Sequence, residues 1–139
     1  MKVKKILVPI DGSKNSIRGL DTAIYLARQC HATITGVYIH HLPAAYSIHP
    51  LGFLGMGTPK KIKKLLQDSK TRAAKKGIAF NSKIITGVPG YDIINFAQTK
   101  KFDLIVIGAR GLSSVKEVFL GSVSNYVLHK SKIPVLIVK

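Results

Sequence analysis

Short apolar runs rich in β-branched residues alternate with stretches whose apolar residues recur every three or four positions, from one end of this chain to the other. The runs fall at residues 3–10, 33–39, 78–85, 104–107 and 135–138. Strands buried on both faces read as continuous apolar runs rather than as a polar and apolar alternation. After the first run, Asp11-Gly12-Ser13-Lys14-Asn15-Ser16 supplies turn and N-cap residues, and Ile17, Leu20, Ala23, Ile24 and Ala27 then share one helical face. Pro59 suits the first turn of a second helix that runs to Lys76 and stops at Gly77. Further helices are expected at 90–100 and 122–130. The resulting order, β-α-β-α-β-α-β-α-β, predicts an α/β fold: a parallel sheet with helices on both faces, joined by right-handed crossovers.

A chain of 139 residues that is 46% apolar suits one domain, 1–139, with a single sizeable core. No apolar stretch approaches the roughly 20 residues that span a bilayer, so no membrane insertion is expected. Met1-Lys-Val-Lys-Lys5 has the charge of a signal n-region, but the run from Ile6 to Ile10 meets Asp11 with no small-residue cleavage site. It reads as a first strand, and the protein as cytoplasmic. The lone Cys30 excludes an internal disulfide and fits a reducing compartment. Residues 40–58 hold Pro43, Pro50, Gly52, Gly55 and Gly57 among apolar residues. This is too rich in Gly and Pro for a regular element and too apolar for an inert linker, the profile of a functional or mobile loop.

The fourth apolar run ends in Gly108, and from there the chain reads Gly-x2-Gly-x9-Gly-Ser through Gly111, Gly121 and Ser122. Glycine lets the backbone approach a ligand without a Cβ in the way. Val123-Ser124-Asn125-Tyr126 after it starts well as a helix. Strand, glycine loop and helix N-terminus together form the arrangement that holds phosphate on backbone N–H groups. In open α/β sheets ligands sit beyond the strand C-termini at the switch point. If strands 1 and 4 flank that point, Asp11 and Gly108 meet at one crevice. The N–H groups of Ser122, Val123 and Ser124 would bind phosphate oxygens, and the hydroxyls of Ser122 and Ser124 would each add a bond. The bland reading of Ser122 is a helix cap. Asp11, a carboxylate beside phosphates, is expected to face a ribose or a Mg²⁺, or else to cap the first helix. Arg110 reaches a phosphate or is simply an exposed loop cation. Lys116, with Ser113 and Ser114 in the nine-residue insert, is a further candidate for a terminal phosphate.

Other chemistries find little support. His31, His40, His41, His49 and His129 show no zinc-ligand spacing, and no metal site is expected beyond nucleotide-bound Mg²⁺. Glu117 is the lone glutamate, so a paired-carboxylate mechanism has little to work with. There is no Gly-x4-Gly-Lys-[Ser/Thr] phosphate loop. The charge balance is extreme, with 22 Lys+Arg against 6 Asp+Glu and a formal net charge of +16, and such a surface attracts polyanions. Lys60, Lys61, Lys63, Lys64, Lys70, Arg72, Lys75 and Lys76 fall in one expected helix opposite an apolar stripe of Ile62, Leu65, Leu66, Ser69 and Ala73. They are the solvated face of that helix or a surface for nucleic acid or anionic lipid. No aromatic residue is interleaved with them, which weakens a single-strand reading.

Val8-Pro9-Ile10-Asp11-Gly12-Ser13, Val106-Ile107-Gly108-Ala109-Arg110-Gly111, Leu120-Gly121-Ser122-Val123-Ser124 and Pro134-Val135-Leu136-Ile137-Val138 together resemble the universal stress protein family over essentially the whole chain. Members with an intact Gly-x2-Gly-x9-Gly-[Ser/Thr] loop are similar to ATP-binding proteins. The resemblance implies a Rossmann-like, adenine-nucleotide alpha hydrolase-like sheet with strand order 3-2-1-4-5. It implies ATP or AMP as ligand, with Mg²⁺ accompanying ATP, and a homodimer joined through the last strand, Val135–Val138. Pro9, Ile10, Val37 and Ile107 match family positions that line the adenine, with Val37 supplying backbone hydrogen bonds to the base. Gly108 and Gly111 bring the loop backbone against ribose and phosphates. The function implied is that of a nucleotide-dependent stress-response or signalling module, with no catalytic residues and at most a slow ATPase activity. The alternatives are a nucleic-acid-associated basic protein and a dimeric scaffold with a vestigial nucleotide site.

Overall fold

The computed structural model describes residues 1–41, 60–112 and 119–139. In chain order the elements are β1 (Lys5–Pro9), α1 (Lys14–Cys30), β2 (Thr33–His41), α2 (Lys60–Ala74), β3 (Phe80–Gly87), α3 (Pro89–Thr99), β4 (Leu104–Gly108), α4 (Ser122–Lys130) and β5 (Val135–Val138). The strands form one five-stranded sheet in the order β3-β2-β1-β4-β5, and every neighbouring pair is parallel. No described helix is long and apolar enough to cross a membrane.

Side chains alternate across a strand, so one apolar run feeds two cores. Ile6, Val8 and Val106 point to one face and pack with Leu20, Ala23, Ile24 and Ala27 of α1 and Ala73 of α2. Leu7, Ile105 and Ile107 point to the other and pack with Ile93 and Ala97 of α3 and Val127 of α4. Ile6, Leu7, Val8, Ile105 and Val106 are 0% exposed. Burying each such side chain contributes about 1.5–3 kcal/mol, which explains why the central strands carry no polar alternation.

Boundaries differ from the sequence reading where caps intervene. The third strand starts at Phe80, not Ile78, because Ile78 N–H donates to Ala73 O at 3.1 Å and Gly77 N–H to Ala74 O at 2.9 Å. Gly77 sits at φ 74°, and these bonds close α2 in a Schellman motif. The first strand starts at Lys5, where Asp103 Oδ2 accepts the N–H groups of Lys4 and Lys5 at 2.8 and 2.9 Å. His40 and His41, expected to open the loop, instead continue β2, paired with Thr86 and Gly87 of β3. The rest of that loop and Pro59 lie outside the described residues.

The same Schellman closure ends α1 and α3 with residues less suited to it. Ala32 N–H donates to Ala27 O at 2.9 Å around His31 at φ 52°, and Phe102 N–H to Ala97 O at 2.9 Å around Lys101 at φ 56°. A Cβ in the left-handed region costs about 1 kcal/mol that glycine avoids. His31 is exposed. His31→Gly is therefore expected to stabilise the fold by about 0.5–1 kcal/mol, read as a higher urea midpoint; an unchanged or lower midpoint contradicts this.

Candidate functional site

The sheet opens where β1 and β4 lie side by side. Their pairing ends at Leu7↔Ile105, whereas β1 stays paired with β2 as far as Pro9↔Val37 and β4 with β5 as far as Gly108↔Val138. Beyond that point α1 leaves β1 toward one face and α4 follows β4 on the other. Between the diverging tips lies a crevice of about 410 Å³, within the usual range for small-molecule sites.

The described residues expected at a nucleotide site line this crevice. Pro9, Ile10 and Asp11 come from the tip of β1, and Val37 from β2. Ile107, Gly108, Arg110 and Gly111 come from β4 and the loop after it. Gly121, Ser122, Val123 and Ser124 come from the start of α4. Val37 forms part of the floor and is 0% exposed. Its carbonyl already accepts Ile10 N–H at 2.9 Å, so a base bonded to that oxygen would use its second lone pair.

Several local roles differ from the sequence reading. The cap of α1 is Ser13, not Asp11: its side chain accepts Ser16 N–H at 3.1 Å, and Ser16 Oγ returns a bond to Ser13 O at 3.0 Å. Asp11 is instead a tie between two loops. Its Oδ1 accepts Ser13 N–H at 2.9 Å and its Oδ2 accepts Leu112 N–H at 3.2 Å. Gly111 leaves room for that carboxylate, since a Cβ there would stand 2.6 Å from Asp11 Oδ2. Gly108 serves a helix approach: a Cβ on it would meet the backbone of Asn15 and Ser16 at 2.7–2.9 Å. Ser124 points inward, buried at 2% exposure, and donates to Ala109 O at 2.6 Å. Its hydroxyl proton is thus engaged by the protein rather than offered to a phosphate. Ser124→Ala is expected to cost about 1 kcal/mol of stability in chemical denaturation, and an unchanged midpoint would count against this role.

Parallel strands followed by helices aim the N-termini of α1, α3 and α4 at this edge. They are not equivalent. Ser13 caps α1. Pro89 at the start of α3 carries no N–H, and Asp92 Oδ2 accepts the N–H of Val88 at 2.6 Å. At α4 the N-cap is Gly121 with no side-chain cap bond, so Ser122 is not the cap, and the first helical bond is Asn125 N–H to Gly121 O at 3.0 Å. The N–H groups of Ser122, Val123 and Ser124 therefore have no acceptor within the helix, and the helix dipole adds partial positive charge there. Gly121 N–H donates to Ala109 O at 2.7 Å and Ala109 N–H to Val138 O at 2.7 Å, which pins this helix start to the end of β4. An anion at the mouth would meet directed donors on a rigid support.

Sequence reasoning missed Ser13 and Ser16 at the start of α1, Tyr38 and Ile39 at the end of β2, Pro89 and Ile93 of α3, and Leu112. The available signal was topological: if β1 and β4 flank the crevice, the neighbouring strand end and helix starts complete its wall. Ser113, Ser114, Lys116 and Glu117 lie outside the described residues, as does His49.

A model of the universal stress protein family matches residues 2–139. The universal stress protein YxiE of Bacillus subtilis is 34% identical over 145 residues, covering 97% of this chain and 98% of that protein. The solved structure of protein MJ0577 of Methanocaldococcus jannaschii is similar, with a TM-score of 0.89 at 26% identity, covering 100% of this chain and 97% of that one. A universal stress protein in complex with cAMP gives a TM-score of 0.77 at 27% identity, covering 100% of this chain and 99% of that one.

Proposed function

The chain belongs to the universal stress protein family, and on that premise we propose that its crevice binds an adenine nucleotide, ATP or AMP, and that it works as a nucleotide-dependent stress-response or signalling module. The observation that carries this reading is the start of α4. Like the start of α3 it faces the crevice with no side-chain cap bond, but it opens on Ser122 rather than on a proline, so all of its first-turn N–H groups are present, and Gly121, Ser122, Val123 and Ser124 all line the crevice. The apolar side of the crevice, with Ile10, Val37, Ile39 and Ile107, suits a planar base. A relative with the same fold is a complex with cAMP, an adenine nucleotide.

The residues present fit such a ligand. Ser122, Val123 and Ser124 would offer backbone N–H groups to the phosphates and Ser122 its hydroxyl. Ile10 and Ile107 would contact the base, and Asp11, half-buried at the rim, would face the ribose or a Mg²⁺ carried by ATP. Asp11 already accepts two backbone N–H groups, which suits holding the loops in place more than drawing a proton from water. Hydrolysis is accordingly expected to be slow at most. Binding would act by population shift, which requires different affinities for two states of the glycine loop.

The reading includes a homodimer and a cytoplasmic setting. β5 lies at the edge of the sheet, and Val135, Leu136, Ile137 and Val138 are each half-buried. Pro134 opens the strand, a position that tolerates the missing N–H. A second copy of β5 would cover that edge, and sedimentation velocity tests it. The nucleotide reading is tested by calorimetric titration with ATP, ADP, AMP and cAMP, with and without Mg²⁺. Binding of at least one of them supports it; no heat with any of them up to about 1 mM, a Kd weaker than about −4 kcal/mol, sinks it.

A further inference from the structure

The basic helix α2 does not stand alone on its face of the sheet. α1 and α2 pack side by side on the same core, and between their outer surfaces runs a groove of about 640 Å³. Its walls include Tyr25 and Arg28 from α1, Arg72 from α2, and Lys75 and Lys76 from the turn that closes α2. On α1 the step from Tyr25 to Arg28 keeps both side chains on one side of the helix.

The charges in the groove are not balanced. Asp21 is held by Arg72 in a two-pronged ion pair, Nε to Oδ1 at 2.5 Å and Nη2 to Oδ2 at 2.9 Å. That pair raises the Arg72 pKa further and braces one helix against the other. Asp68 is paired with Lys64 at 2.8 Å. Among the described residues, no carboxylate pairs with Arg28, Lys75 or Lys76, and all are exposed. Compensation of helix C-terminal dipoles accounts for cations at these positions. It does not account for an aromatic ring left in the open beside them. Tyr25 is 65% exposed, although its helix buries Leu20, Ala23, Ile24 and Ala27.

An open aromatic ring flanked by unpaired cations in a groove is the combination that holds a phosphodiester chain with exposed bases: the cations take the backbone and the ring takes a base face. A duplex keeps its base faces inside the stack and offers this ring nothing. The aromatic residue missing from the basic helix in sequence is thus supplied by its neighbour in space. We propose that the groove between α1 and α2 is a binding surface for single-stranded nucleic acid, in which Tyr25 stacks on a base and Arg28, Lys75 and Lys76 hold the adjoining phosphates. This site is separate from the crevice at the opposite ends of these helices.

The test is fluorescence anisotropy with labelled oligo-dT and oligo-rU of about ten nucleotides, titrated at several salt concentrations with the full chain. Tyr25→Ala is expected to weaken binding about tenfold, and Tyr25→Phe to restore it, because stacking needs the ring and not the hydroxyl. The double variant Lys75→Ala/Lys76→Ala is expected to weaken binding and flatten the log–log salt slope by roughly 0.7 for each lysine. Lys130→Ala/Lys132→Ala, beyond the other face of the sheet, is expected to leave binding nearly unchanged. Saturating ATP is expected not to displace the oligonucleotide, whether or not ATP itself binds. The replaced side chains are exposed, and thermal melts confirm that each variant folds. Wild-type affinity in Tyr25→Ala overturns the proposal. So does an equal loss in Lys130→Ala/Lys132→Ala, or equal competition by heparin, duplex DNA or anionic vesicles, since each points to unspecific attraction of polyanions.

Discussion

Gly121→Val is expected to weaken ATP and AMP binding about a hundredfold while the protein stays folded. The space around Gly121 decides this. A Cβ there would lie 3.4 Å from Arg110 Cα and 3.6 Å from both Ala109 O and Gly111 N. Its φ is −70°, which any residue adopts. A first methyl is therefore tolerated with a shift of a few tenths of an ångström. The branched carbons of valine add bulk beside that backbone at a position that lines the crevice, and are expected to crowd the approach to the N–H groups of Ser122 and Val123. Losing about two charge-assisted hydrogen bonds to phosphate corresponds to roughly 3 kcal/mol, or about a hundredfold in Kd. Calorimetry of the variant beside a thermal melt separates binding from folding. Wild-type affinity in a folded Gly121→Val protein would mean that phosphate does not sit at α4.

Gly108→Ala is expected to act on the fold instead. Its Cβ would meet Asn15 C at 2.7 Å, Asn15 O at 2.8 Å and Ser16 N at 2.9 Å. All are backbone atoms of the first turn of α1, so no flexible side chain can yield. Either α1 slides or β4 bends, and overpacking of this kind costs about 3 kcal/mol. With a urea m-value of about 2 kcal/mol/M, the midpoint falls by about 1.5 M. Gly19→Ala is the informative contrast. Gly19 faces the same strand end from one turn further along α1, but its Cβ would stand 3.5 Å from Gly108 N, an ordinary contact. The helical preference for alanine then offsets the crowding, and stability is expected to change little. Equal losses at both positions would show that the helix–strand approach is not what demands Gly108.

The pair shows how one motif divides its labour. In sequence, Gly108, Gly111 and Gly121 share a single explanation, the approach of backbone to ligand. In three dimensions Gly108 admits a helix, Gly111 admits the Asp11 carboxylate, and Gly121 is the N-cap of α4, set against the loop backbone at Arg110 and Gly111. The motif is as much a device for assembling the crevice as for contacting what enters it.

Local signals made the element order legible. Five apolar runs separated by helical periodicity leave few ways to bury both faces of each strand, and the sheet order β3-β2-β1-β4-β5 follows the family resemblance. Ends of elements were harder to read, because they depend on which backbone groups meet. Ile78 looks like strand until its N–H closes α2 at Ala73 O, and His40 and His41 look like loop until Thr86 and Gly87 pair with them. The members of the crevice were legible as types at a spacing. Their partners were not: Ser124 bonds a carbonyl fifteen positions away and Asp11 an amide more than a hundred away.

By itself, the sequence determined the alternation of elements, the glycine spacing after β4 and the excess of positive charge, since each is a property of neighbouring residues or of a sum over the chain. Only the tertiary structure decided which helix starts at the crevice carry a side-chain cap, which glycine admits a helix and which a carboxylate, and that Tyr25 of α1 stands in the groove lined by the cations at the end of α2 and the turn after it. Those are questions of what lies across a gap of a few ångströms between segments far apart in the chain, and the packing of helices on a twisted sheet sets that distance.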